Sequence, residues 1–295
     1  IVDRRATVAT AIGDFDNTPF RFEARGSIVG LTQNTSYDVE VTWADADGVN
    51  GTNPVTGTVS TLNRTPPTGG STFYVDGDAA GEGVGSSADP FKTLTNAITN
   101  TVAGDTILVR DSAVAYAALT ISVSGTASAF RVLQNDVGHT PHIATGAADC
   151  VIVNGNYWKI AGFIFDPSVE SSVHIGTDQH HIFIQSCTTN DIGTGVPTAF
   201  NAACVELNSG AHNIYVLDNT FTRTSTDEAN EINCFTSSSA ASHTLIYDNN
   251  VSSGPFGNAY GNSTNSFGGS LENCDFSNNT IGTNLRIAEP LELDG

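Results

Sequence analysis

The sequence lacks methionine altogether and is poor in basic residues. Its 295 residues include 11 lysines and arginines against 31 aspartates and glutamates, which gives a formal net charge of −20. A surface with so few cations cannot neutralise phosphates, so nucleic acid is excluded as a partner. The same charge repels anionic polysaccharides unless a divalent cation bridges the two. It also favours solubility in a salty or extracellular medium.

Long apolar stretches are missing as well. No run approaches the length of a membrane span, and the first residues, IVDRRATVAT, contain no apolar segment of the kind found in signal peptides. The chain also has no initiator methionine, and its ending, LRIAEPLELDG, has no capping element. We therefore expect a piece of a longer precursor that is secreted or exposed at a surface.

Residues typical of strands and tight turns are abundant. Charged residues make up only 14% of the chain and hydrophobic residues 39%, and Gly, Ser, Thr and Asn are frequent. This balance suits strands and turns better than helices. The hydrophobic share is that of a folded protein rather than a disordered one. An all-β protein is therefore expected.

Residues 1–62 alternate apolar and polar positions in short runs, as strands do. Leu31, Thr35 and Tyr37 follow the order L-x-x-x-T-x-Y, and the later TGTVSTL has the pattern of a final strand. This order resembles the tyrosine corner of fibronectin type III domains, in which the tyrosine hydroxyl bonds to backbone a few residues upstream. The resemblance covers the second half of such a domain and implies a small β-sandwich-like spacer module.

Residues 63–71 are polar, contain two prolines and two glycines, and read as a linker. A strand over Phe73–Val75 then leads through a Gly-rich turn to Asp89 and Pro90, which suit the N-cap and first position of a helix. The apolar face of that helix consists of Phe91, Leu94, Ala97 and Ile98. The order resembles the entry of secreted β-helix proteins, where a helix covers the open end of the solenoid.

Five segments after Cys150 form a loose repeat: WKIAGFIFD, IFIQSCTTN, IYVLDNTFT, TLIYDNNVS and CDFSNNTIG. When they are aligned, one column is apolar and contains Ile160, Ile184, Val216, Ile246 and Phe276. A later column ends in Asn219, Asn249 and Asn279. Stacked asparagines resemble the ladder of parallel β-helices, in which buried amides hydrogen bond along the axis. The alignment predicts that these three asparagines point inward at one turn.

Together the patterns predict an all-β fold. Residues 72–295 are expected to form a right-handed parallel β-helix solenoid with an N-terminal capping helix, preceded by the sandwich-like module. The entry and the ladder resemble the pectate-lyase-like superfamily, which includes polysaccharide lyases, glycoside hydrolases and phage tailspikes. That resemblance implies contact with carbohydrate more strongly than catalysis. The five cysteines lack zinc-site spacing, so we expect buried core thiols or one bridge, such as Cys204 with Cys234.

One loop has the composition of a catalytic site. A uronate lyase needs a cation to neutralise the sugar carboxylate and a basic residue to take a proton. Arg223 lies in FTRTSTDEANE beside Asp227, Glu228 and Glu231. Arg223, Asp227 and Glu231 are therefore the catalytic candidates, and the three acidic residues are candidate Ca²⁺ ligands. A solvated loop with a surface ion pair is the simpler interpretation.

Two further sets carry weaker signals. His180 and His212 occupy matching positions in neighbouring coils, about 5 Å apart if the strands pair, and suit turn residues better than a metal site. Asp76, Asp78 and Glu82 form an acidic Gly-rich turn that allows the same two interpretations.

An apolar row is the clearest binding signal. The residue before the apolar column faces outward by strand alternation, and three consecutive coils there carry Phe183, Tyr215 and Leu245. We expect this row to contact a sugar ring, the N-terminal module or another subunit.

These observations favour a secreted or surface β-helix module without catalysis in this segment. Its expected partners are a polysaccharide or cell-surface glycan, or copies of itself in an assembly. The alternatives are a polysaccharide lyase or glycoside hydrolase, and a viral tailspike or appendage.

Overall fold

The chain divides into two compact units, residues 1–65 and residues 66–294. The computed structural model describes residues 31–32, 34–44, 48, 51–61, 65–146, 148–168, 170–191, 203–208, 210–222, 233–237, 245–253, 258–262, 275–277 and 279–281. Within these ranges, no helix is long and apolar enough to cross a bilayer.

The described part of the first unit is an antiparallel pair of strands. Strand β1 (Ser36–Val41) pairs with β2 (Val55–Ser60). The Tyr37 hydroxyl accepts a hydrogen bond of 2.8 Å from the Thr32 backbone N–H, five residues upstream, which is the contact that a tyrosine corner makes. Two strands do not define a sandwich, so the fibronectin type III-like module stays a prediction.

The described residues of the second unit form three parallel sheets and one helix. Their strands, in the order in which they pair from the N-terminal side, are as follows. The long sheet contains β3 (Thr72–Val75), β4 (Thr106–Val109), β6 (Arg131–Asn135), β9 (Trp158–Ala161), β12 (His180–Gln185), β15 (His212–Leu217), β18 (Leu245–Asp248) and β21 (Asp275–Ser277). The second sheet contains β7 (His142–Ile143), β10 (Ile164–Phe165), β13 (Thr188–Asn190), β16 (Thr220–Thr222), β19 (Val251–Ser253) and β22 (Thr280–Ile281). The third sheet contains β5 (Leu119–Ile121), β8 (Val151–Val153), β11 (Val173–Ile175), β14 (Ala203–Leu207), β17 (Asn233–Ser237) and β20 (Asn258–Asn262).

The order of these strands along the chain makes a solenoid. From β5 onwards the chain visits the third, long and second sheets in turn, and each strand pairs in parallel with its counterpart in the next coil. Each coil therefore contributes one strand to each of three sheets. This arrangement confirms the predicted parallel β-helix.

The core lies inside the coils and is apolar. Strand residues alternate between inside and outside, so Ile160, Ile184 and Val216 stack in register within the long sheet and are almost fully buried. Cys150, Cys187 and Cys204 are also buried, as expected of core cysteines. Burial raises the pKa of the Cys150 thiol to about 12 and that of Cys187 to about 11. Both thiols therefore stay protonated and unreactive.

Helix α1 (Leu94–Asn100) packs Leu94, Ala97 and Ile98 onto the core. It begins later than predicted. Thr93 is the N-cap, and its hydroxyl accepts from the Asn96 backbone N–H. Phe91 forms a parallel bridge with Val75 instead, which requires extended backbone and keeps the helix from starting at Asp89–Pro90.

The Asn ladder exists but is shifted by one residue in the fourth repeat. Tyr247, not Ile246, pairs with Val216, and Asn250 takes the ladder position predicted for Asn249. Asn219 and Asn250 are buried. Asn249 is instead exposed, and its amide bonds to the Asp218 carboxylate.

The shift follows from the turn that precedes the ladder. In four successive coils the residue before the ladder position has positive φ: Gly162 (74°), Ser186 (52°), Asp218 (58°) and Asn249 (55°). Asparagine tolerates this left-handed conformation and also suits the ladder. The Asn249–Asn250 pair therefore fits two alignments, and equal repeat spacing favours the wrong one.

Candidate functional site

The predicted catalytic loop cannot be placed. Arg223, Asp227, Glu228 and Glu231 lie outside the described residues, in the segment that connects β16 to β17. Their catalytic and Ca²⁺-binding roles stay predictions.

The predicted apolar row lies partly where it was expected. Phe183 and Tyr215 pair across β12 and β15 on the outer face of the long sheet, and their rings stack at 4.1 Å with an interplanar angle of 2°. Leu245 is wrong as a member, because it pairs with Ile214 and lies in the solenoid core. Ile246 takes its place.

This outer face forms a second apolar cluster, separate from the solenoid core. We call it the outer cluster; it contains Phe130, Phe183, Tyr215, Leu217 and Ile246, with Tyr157 packed against it. Phe183 is only 2% and Tyr215 6% exposed. The two stacked rings are therefore covered within the chain and do not form an open surface.

Next to the outer cluster, a group of half-buried rings lies where β9, β12 and β15 of the long sheet begin. The Tyr157 ring stacks on His181 at 4.9 Å and meets His180 edge-on at 5.0 Å. His180 lies 5.0 Å from His212 in the next coil. We call Tyr157, His180, His181 and His212 the ring platform. His180 and His212 do occupy matching positions in neighbouring coils, as the sequence predicted. The sequence did not indicate Tyr157 or His181.

The backbone at the ring platform has an unusual conformation. Tyr157, His181 and Asn213 occupy one column and all have positive φ, at 59°, 56° and 54°. This conformation bends the chain directly before β9 and at the second residue of β12 and of β15. Histidine and asparagine tolerate positive φ better than most residues. A bulky tyrosine rarely adopts it, so the packing around Tyr157 must stabilise this conformation.

Two of the platform imidazoles disfavour the charged form. Burial, together with the neighbouring His212 for His180 and with His180 and His212 for His181, lowers the pKa of both imidazoles. Their Nδ1 atoms lie 2.9 Å apart, so one donates to the other. His212 Nδ1 donates to the Gly210 carbonyl at 2.8 Å. The rings are thus fixed in orientation and keep further nitrogen atoms for a ligand.

A second polar group lies on the third sheet. His174 of β11 pairs with Glu206 of β14, and Asp149 lies just before β8. One donor atom from each residue falls within 4.8 Å of the others. No motif in the sequence indicates this group, because its members are distant along the chain and meet only when neighbouring coils pair.

Other charged residues serve the fold. Glu82 accepts hydrogen bonds from the Lys92 backbone, the Thr93 hydroxyl and the Asn96 amide, so it anchors the start of α1. Asp78 likewise accepts from the Ala113 backbone. The acidic Gly-rich turn therefore has structural partners for its carboxylates.

Most described basic side chains of the solenoid are also committed to structure. Arg110 lies 3.4 Å from Asp136, Arg131 bonds to backbone carbonyls, and Lys92 bonds to the Ala79 carbonyl. Lys159 differs, because it lies half-buried on the outer face beside Phe183. Burial lowers the pKa of its amine, against the opposing effect of Asp218.

No family model and no curated protein matches this sequence. Among solved structures, pectate lyase Pel9A is 14% identical with a TM-score of 0.48, over 73% of this chain and 62% of that one. A rhamnogalacturonan lyase is 12% identical with a TM-score of 0.47, over 73% and 66%. The GH136 lacto-N-biosidase from Eubacterium ramulus is 12% identical with a TM-score of 0.44, over 61% and 44%. At this level of similarity the likeness carries no information about activity.

Proposed function

We propose that this chain is a secreted or surface-exposed β-helix module that binds uncharged glycan on the ring platform. The observation that carries the proposal is the set of half-buried, mutually oriented rings of Tyr157, His180, His181 and His212. Aromatic faces pack on the apolar faces of sugar rings, while the tyrosine hydroxyl and imidazole nitrogens are available to bond sugar hydroxyls.

Charge favours a neutral ligand over an acidic one. The chain carries a net charge of −20, and the lowered pKa values of His180 and His181 disfavour a positive charge on these two rings. A uronate polymer would meet repulsion without compensation there. An uncharged polysaccharide would not.

The outer cluster supports the platform from below. Phe130 meets Tyr157 edge-on at 5.3 Å and Phe183 at 5.8 Å, and Phe183 stacks on Tyr215. The buried rings hold Tyr157 in place before a ligand arrives, which reduces the entropy lost on binding. In this proposal Phe183 and Tyr215 act as supports, and Tyr157 and His181 make the contact.

The test is a glycan array that contains neutral and uronate polysaccharides, followed by titration of the best ligand. The variants are Tyr157→Asn and His181→Asn, because asparagine tolerates the positive φ of both positions. Each should weaken binding about tenfold, which corresponds to a loss of roughly 1.4 kcal/mol. The melting temperature should show that both variants remain folded, so that unfolding does not explain the weaker binding. His139→Asn, which removes a histidine paired with Asp111 elsewhere on the surface, is the matched control.

Two results would count against the proposal. One is unchanged affinity in both platform variants. The other is selective binding of uronates, which would place the ligand on a different surface.

A polysaccharide lyase is the second candidate, because Lys159 lies half-buried on the outer face and burial lowers the pKa of its amine, the direction that favours a proton acceptor. β-Elimination from a uronate leaves a double bond that absorbs in the ultraviolet. A binding module produces no such signal. A signal that is abolished in Lys159→Met but kept in Arg110→Met would favour the lyase.

A further inference from the structure

We infer that Asp149, His174 and Glu206 form a binding site for one divalent transition-metal cation, and Zn²⁺ matches their donor set best. This site lies on the third sheet and does not depend on the glycan proposal. The inference rests on three ligand atoms converging within 4.8 Å of one another and on the partners that each side chain has and lacks.

Both carboxylates are buried, and among the described residues no lysine or arginine forms an ion pair with either of them. Asp149 is 7% and Glu206 6% exposed. Removing a carboxylate from water is costly unless it is paired or coordinates a metal. Two such groups in one place raise the cost further, because like charges repel at short range.

The imidazole points its buried nitrogen between them. His174 Nδ1 lies 3.4 Å from Asp149 Oδ2 and 3.7 Å from Glu206 Oε2. It is buried, and no described residue forms a hydrogen bond with it. A cation placed among the three atoms would contact all of them at once, and it would give His174 Nδ1 the partner that it lacks among the described residues.

Neighbouring polar groups already orient the three ligands. Ser171 donates its backbone N–H to Asp149 Oδ1 at 2.9 Å and its hydroxyl to Glu206 Oε2 at 2.8 Å. The Asn208 side-chain amide lies 2.7 Å from His174 Nε2. With metal on Nδ1, the Nε2–H needs an acceptor, and a half-turn of the amide supplies its carbonyl oxygen. Such outer contacts are typical of metal-binding histidines.

The donor set selects the kind of metal. One imidazole nitrogen and two carboxylate oxygens suit Zn²⁺, which accepts both atom types and binds three protein ligands plus one water in open sites. Ca²⁺ prefers six to eight oxygen ligands, so it suits this set poorly. The side chain of His174 is 21% exposed, which leaves a route for the ion and for a fourth ligand.

The experiment measures zinc binding to the whole chain after removal of metal with EDTA. Isothermal titration and elemental analysis should give about one tightly bound Zn²⁺ per chain, with a raised melting temperature and little response to Ca²⁺. Glu206→Gln and Asp149→Asn conserve shape and should each weaken zinc binding by at least about tenfold. The melting temperatures of the variants in EDTA show whether they fold.

Other histidines need matched controls. His142→Asn removes an exposed His–Asp pair of 2.9 Å with Asp166, and His212→Asn removes part of the ring platform. Both should leave the tight zinc site intact. Loss of that site in His212→Asn, with retention in Glu206→Gln, would overturn the inference and move the metal to the platform.

Crystals soaked in zinc provide a readout that does not depend on any variant. An anomalous peak is expected about 2.0–2.1 Å from His174 Nδ1. The absence of a peak between the three side chains at saturating zinc would show that Asp149, His174 and Glu206 are a metal-free ionic cluster.

Discussion

At the scale of single residues, buried asparagine amides hold one corner of the solenoid in register. Asn250 Nδ2 donates to the Val216 carbonyl at 2.9 Å, and its Oδ1 accepts from the backbone N–H and the amide of Asn219 at 3.0 and 2.9 Å. Asn219 makes the equivalent bonds to Cys187 N–H and Ile184 C=O. Each amide therefore satisfies backbone groups that the turn leaves without strand partners.

Replacing Asn250 should be far more damaging than replacing its neighbour. Asn250→Leu leaves the Val216 carbonyl and the Asn219 N–H unpaired, and each buried polar group costs about 1–3 kcal/mol. We expect the free energy of unfolding in urea to fall by about 3 kcal/mol or more.

Asn249→Gly is the matched control for Asn250→Leu. It keeps the positive φ and removes only an exposed bond of 2.8 Å to Asp218, so it should cost less than about 1 kcal/mol. Equal losses in the two variants would mean that Asn249 and Asn250 share the ladder role.

The sequence could predict this motif but not its register. The repeated Asn signal identified the ladder and the solenoid, because a buried amide at a turn needs stacked partners. It could not decide between Asn249 and Asn250, since one residue type suits both the left-handed turn and the ladder. The sequence predicted only part of the ring platform for a related reason. The repeat alignment placed His180 beside His212, whereas Tyr157 reaches them because of a bend in the backbone that no periodic pattern reveals.

At the scale of elements, the capping helix is tied to the first coils by one buried arginine. Arg131 of β6 donates through Nη2 to the carbonyls of Ile98 and Thr101, at 2.7 and 2.6 Å, where α1 ends. Its guanidinium also lies 5.0 Å above the Trp158 ring. A cation here complements the negative end of the helix. It also donates hydrogen bonds to carbonyls that have no donor within the last turn of the helix.

Arg131→Met should therefore uncouple the cap. The variant keeps much of the volume but leaves the buried carbonyls of Ile98 and Thr101 without donors. We expect the free energy of unfolding to drop by about 2 kcal/mol or more, since each buried carbonyl without a donor costs about 1–3 kcal/mol, with hydrogen exchange in α1 rising first. Calorimetry and exchange mass spectrometry measure the two effects.

Arg110→Met tests whether any arginine would behave this way. Arg110 is partly exposed and pairs with Asp76 and Asp136 at 3.7 and 3.4 Å. Surface ion pairs are worth about 0–1 kcal/mol, so its loss should be mild. A mild effect in Arg131→Met as well would show that packing of Leu94, Ala97 and Ile98 alone holds the helix.

At the scale of the whole molecule, the solenoid brings together residues that are distant along the chain. Coil pairing places Phe183 beside Tyr215 and His174 beside Glu206, although each pair is 32 residues apart. Stability is shared between neighbouring coils rather than concentrated in one centre. The ring platform and the Asp149–His174–Glu206 cluster lie on different sheets, so a change in one should leave the other intact.

The charge of the molecule leads to a prediction about salt. With 31 acidic against 11 basic residues, repulsion between carboxylates outweighs the few ion pairs, and it acts across the whole folded surface. The screening length falls from about 30 Å at 0.01 M to about 10 Å at 0.1 M ionic strength. Adding sodium chloride over this range, with EDTA present to remove divalent ions, should therefore raise the melting temperature.

Each kcal/mol of relieved repulsion corresponds to a rise in melting temperature of about 2–4 °C for a protein of this size. Sucrose at equal osmolality is the control for excluded-solvent effects, and a melting temperature that stays flat or falls with salt would show that local ion pairs, such as that of Arg110, outweigh the net charge.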